Sequence, residues 1–100
     1  MTGLAEGGAV RVRLPRSLDI ASVEPLASAL LALRGSAIDL DASEVERLGA
    51  LGLQLLLSAR LTWRTDKVAF SVVDPSAAFA GDAALLGAPF LVSSEMNPDD

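Results

Sequence analysis

One hundred residues, about half of them apolar, suffice for one compact core and are too few for two ordinary domains. The chain has no Cys, His or Tyr. That excludes disulfides, thiolate metal sites and imidazole chemistry, leaving carboxylates, Ser, Thr and Lys67, so it reads as a non-enzyme without metal or cofactor. Thirteen acids against eight scattered bases give a net charge of -5, a field that would repel a phosphate backbone, so nucleic acid is not an expected partner.

Residues 1–8, MTGLAEGG, are small and glycine-rich and read as a flexible terminus, with neither the charged start nor the apolar run of a signal peptide. Residues 9–14 alternate, Val10, Val12 and Leu14 against Arg11 and Arg13, as a half-buried strand near a sheet edge does. Pro15 ends it, and residues 17–20 read as a second, short strand. From Ser22 the period becomes helical, with Val23, Leu26, Leu30 and Leu33 on one face. Ser22 can cap this helix, Pro25 is tolerable only in its first turn, and Gly35 closes it. Residues 37–41 form a strand, and residues 43–47 a turn or a single helical turn in which Ser43 and Glu46 match a capping box.

A second helix is predicted over residues 50–65. At ~100° per residue, Leu53, Leu56, Leu57, Leu61 and Trp63 share the core side, while Leu51, Leu55, Ser58 and Thr62 form the opposite stripe. Residues 68–73 are a near-continuous apolar run, the pattern of a strand covered on both faces. Asp74 and Pro75 then read as cap and first turn of a third helix carrying Phe79, Ala83 and Leu86, stopped by Gly87 and Pro89. Residues 90–92 read as a last short strand and residues 93–100 as an acidic disordered tail. No apolar stretch approaches the ~20 residues that span a bilayer, so a soluble, cytoplasmic protein is expected.

Residues 38–60, IDLDASEVERLGALGLQLLLSAR, run from an apolar strand through a short polar turn into a helix. This stretch resembles the signature of the STAS domain, the fold of bacterial anti-sigma-factor antagonists and of sulfate-transporter cytoplasmic tails. The order of elements over residues 9–92 agrees with that family, although the short ending after Val92 departs from members that finish with a further long helix. Residues 40–43, 54–59 and 74–79, with Leu85, Leu86 and Gly87, are most similar to small stand-alone STAS proteins of bacterial chemotaxis gene clusters.

The resemblance implies an α/β fold: a STAS-like mixed β-sheet of four to five strands with about three helices packed mainly on one face. It also implies a non-enzymatic adaptor that docks on a kinase-like or chemotaxis signalling protein through the start of its second helix. In the antagonists that helix opens with a phosphate-accepting Ser or Thr, a placement favoured by free backbone N–H groups. Gly49, Ala50, Leu51 and Gly52 stand there in this chain, and none of them can accept a phosphoryl group. An alternative implied by the family is a cytosolic subunit of an inner-membrane lipid-transport complex, although such proteins keep a hydroxyl at the helix start.

The candidate partner-binding residues are Gly49, Ala50, Leu51, Gly52 and Leu55, with Ser43 beside them. Leu51 and Leu55 look like an apolar docking pair, unless the helix register turns one of them inward. Backbone geometry accounts for the two glycines more simply than an anion site does. Local hydrogen bonding accounts for Ser43, and packing for Trp63. Asp39 and Asp41 share a strand face and read as solvated strand-end carboxylates.

Overall fold

A computed structural model of the chain describes residues 8–92. The acidic tail expected over residues 93–100, and all of the expected flexible terminus except Gly8, lie outside them. The described residues form β1 Val10–Arg13, β2 Ser17–Leu18, α1 Ile20–Ala32, β3 Ile38–Asp41, β4 Arg47–Leu48, α2 Ala50–Thr65, β5 Phe70–Val73 and α3 Ala77–Leu85. A 3-10 helix at Pro89–Val92 follows.

The α/β class stands, with the strands divided between two sheets. The larger has the order β1-β3-β5 and the smaller pairs β2 with β4, and every ladder is parallel. Sequential strands moving one way across the larger sheet, joined by crossovers of the usual right hand, put α1 and α2 on one face. The register agrees. Val10, Ile38 and Phe70 form one row and Val12, Leu40 and Val72 another on the apolar face, while Arg11, Asp39 and Ser71 lie on the open face.

Several local expectations change. The second strand stops at Leu18 because Asp19 caps α1, accepting the Ala21 N–H at 3.1 Å while Ser22 accepts the Asp19 N–H at 3.1 Å. Ser22 is thus the third helical residue rather than the cap, and Pro25 falls beyond the first turn, on the exposed side. Of the two readings of residues 43–47 the turn holds, although Arg47 already belongs to β4. The strand at residues 70–73 is covered on one face only, with Ser71 exposed.

Asp74 does not cap α3. It holds a left-handed φ of 50°, and Ser76 takes the cap by accepting the Phe79 N–H at 3.0 Å. Residues 90–92 form a 3-10 turn and not a strand. Pro89 cannot donate to a ladder, and the Ala88 N–H bonds back to the Ala83 carbonyl at 2.8 Å, folding Leu91 onto the core.

The core gathers Leu14, Leu18, Ile38, Leu40, Leu56 and Phe79 between sheet and helices. Trp63 is buried, and its indole N–H donates to the Ser36 carbonyl at 2.7 Å. Beside it Arg34 and Asp66 pair at 2.9 Å, joining the C-terminal ends of α1 and α2.

Candidate functional site

The head of α2 is seated on β2. The Gly49 N–H donates to the Leu18 carbonyl at 3.0 Å, and the Gly49 carbonyl accepts the first helical bond, from Leu53, at 2.9 Å. A Cβ on Gly52 would lie 2.6 Å from the Leu18 oxygen and 2.7 Å from its Cβ. Only a glycine lets the helix rest on that backbone. A Cβ on Gly49 would meet the same oxygen at 3.4 Å, an ordinary contact, so packing space alone does not demand glycine there. Both positions therefore bear on how the helix is placed, and Gly52 is buried beneath it.

Ala50 and Leu51 face outward, Leu51 at 46 % exposure. Leu55 does not point away from the core as the stripe suggested; it is half-buried and packed against the core. The buried arc of α2 is Gly52, Leu53, Leu56, Ala59 and Trp63, which leaves Leu61 at 63 % exposure although it was expected on the core side. Two small residues, Gly52 and Ala59, shift the arc because they permit the closest approach of the helix.

A residue not singled out from the sequence follows β2, whose parallel register with β4 sets Leu18 beside Leu48. Ile20, the first residue of α1, is 78 % exposed and lies two positions after Leu18, on which the head of α2 rests. The signal was present in Asp19, a good capping residue that makes Ile20 helical rather than a strand residue. Arg47 of β4 and Asp19, the cap of α1, form an ion pair at 3.9 Å. The first turn of α2 carries no acidic residue and no side-chain cap.

Ser43 lies elsewhere. It lines an open depression of about 500 Å³ with Arg16, Glu46 and Ser76, near the start of α3. Asp41, just before it, is not a solvated carboxylate: it is buried, accepting the Ser43 N–H at 2.9 Å and the Arg11 guanidinium at 3.2 and 3.3 Å. Hydrogen bonds from the Ser43 side chain and backbone hold the Asp41 carboxyl below its ordinary pKa against the opposing effect of burial, and Arg11 adds to them. Arg11 also reaches Asp74 at 2.8 Å, so one guanidinium ties the ends of β3 and β5 to β1. Asp39 is half-buried on the same sheet face.

Among the described residues no cluster of acidic side chains could hold a metal ion. No described helix is long and apolar enough to cross a membrane. The family model described as Mlab, STAS domain, matches residues 3–92, and the chain belongs to the STAS domain family. No curated protein and no solved structure matches it.

Proposed function

We propose that this STAS domain is a non-enzymatic protein-interaction module of bacterial signal transduction, cytoplasmic and associated with chemotaxis. It docks on a kinase-like or other signalling protein through the head of α2. The observation that carries this reading is Leu51, a large apolar side chain nearly half exposed where the antagonists of the family place a hydroxyl. Ile20 and Ala50 extend the apolar patch, Gly49 and Gly52 set its shape from below, and Leu55 supports it from the core. Ser43, in a depression that none of these residues lines, is not part of this surface. Without a hydroxyl at the helix head, docking is independent of phosphorylation at the position the family uses, because no phosphate can add its charge there.

The test is a pull-down from source cells with the native chain, a Leu51→Asp variant and an Ile20→Asp variant. Capture of a histidine kinase or a relative by the native chain, lost with both variants, supports the reading. Capture of a transport ATPase would instead favour the alternative of a cytosolic subunit in a lipid-transport complex. Retention of the partner by both variants would place the interface away from the head of α2.

A further inference from the structure

The two edges of the larger sheet differ. On β1, the Val10 N–H bonds to Ala37 and the Leu14 N–H to Asp41, so Arg11 and Arg13 turn their backbone groups outward. Both carry exposed charged side chains, the common protection of a free edge. On β5, the Ala69 and Val73 carbonyls accept from Ile38 and Ala42 at 3.1 and 3.0 Å. Strand alternation then directs the N–H and C=O groups of Phe70 and Val72 away from the sheet. No described strand pairs with this edge, and β5, Phe-Ser-Val-Val, carries no charge along it.

We propose that β5 is a self-pairing edge: two copies of this chain join β5 to β5 antiparallel about a two-fold axis through Ser71, continuing one sheet across the dimer. This register sets Phe70 of one copy opposite Val72 of the other, so that all the outward backbone groups of the edge find partners. It also leaves Ser71 facing its own counterpart in a non-hydrogen-bonded pair.

Charge complementarity favours a second copy over a foreign strand. Lys67 and Asp74 bracket β5, and Lys67 makes no ion pair among the described residues. An antiparallel pair sets the Lys67 end of β5 in one copy against the Asp74 end in the other, so that a cation and an anion meet at both ends of the pair. Asp74 keeps 68 % of its side chain exposed while bonded to Arg11, so it has room for this second cation. An isologous contact of this kind closes on itself and stops at two copies.

The chain has no cysteine, so Ser71→Cys gives a clean reporter. Opposed Cα atoms in a non-hydrogen-bonded pair lie about 4.5 Å apart, within reach of a disulfide. Mild oxidation should cross-link Ser71→Cys rapidly as a dimer, whereas Ser28→Cys on the exposed side of α1 should cross-link slowly. Sedimentation equilibrium of the native chain should show a monomer–dimer equilibrium. Ser71→Lys should weaken it about tenfold or more, because like charges then oppose each other on the axis. That variant keeps a favourable neighbour in its own chain, since Asp39 lies in register with position 71. A native chain that remains monomeric at millimolar concentration overturns the proposal, even if a strand of another protein is found on this edge. Equal cross-linking rates for the two cysteine variants overturn it as well.

Discussion

Asp41 is the buried acid among the described residues, and its surroundings set how the protein responds to acid. Its carboxyl is held below the ordinary value of 3.8, first by Ser43 and then by Arg11. The folded chain thus holds this proton less tightly than the unfolded chain. The stabilisation is complete above the unfolded value and is lost as the pH falls through the lower, folded value. Asp41→Asn should therefore lower stability by about 1–2 kcal/mol at neutral pH, and the gap to the native chain should narrow as the pH falls below 3.8, as urea midpoints on either side of that value would show. Gly52 gives a second prediction at this scale. Gly52→Ala forces a methyl against the Leu18 backbone, and it should cost about 1–3 kcal/mol or push α2 off β2, whereas Gly49→Ala should cost less. Thermal unfolding of the pair would separate a glycine required by space from one that is not.

Elements here are held by a few side chains that reach from one to another. β4 has only two residues, and its Leu48 N–H is satisfied by the Asp82 carboxylate of α3 at 2.9 Å. Asp82→Ala should leave that donor unpaired and destabilise the chain by about 1–3 kcal/mol, with amide exchange rising first at Leu48. α2 was legible from its first residue to its last because its leucines and glycine boundary are local signals. β4 was not, since two residues carry no periodicity and its place depends on β2 and Asp82. The same limit explains part of Asp41, which bonds Arg11 thirty positions away as well as the nearby Ser43. It explains Leu55 and Leu61 too: a helical wheel finds the apolar side, but the small residues Gly52 and Ala59 decide where the helix presses closest. At the candidate site, the absence of Ser and Thr from residues 49–52 could be read directly. Ile20 could be added only once Asp19 was seen to cap α1.

At the scale of the whole molecule, among the described residues, the apolar side chains gather on one side of a short parallel sheet, and ion pairs lie along the other. Arg11 with Asp41 and Asp74, and Arg13 with Glu44 at 3.8 Å, lie along that side. With a single core, a deletion inside it is felt by every element. Phe79 is completely buried, and Phe79→Ala should cost about 3–5 kcal/mol, a large part of the ~5–15 kcal/mol that holds a typical domain, as chemical denaturation would measure. Leu51→Asp, by contrast, changes a half-exposed side chain at the rim and should shift stability by about 0.5 kcal/mol or less. The surface proposed for docking and the core that supports it can thus be altered separately.

Trp63 is the single tryptophan of the chain, and its position makes it a built-in optical gauge. Its indole is enclosed and bonded to Ser36 near the C-terminal end of α2, about 20 Å along the helix axis from Gly49. Its fluorescence should shift to the red when the core opens and stay unchanged when a partner covers the opposite end of the helix. Emission recorded during a binding titration would tell a variant that has lost its partner from one that has lost its fold, without any label.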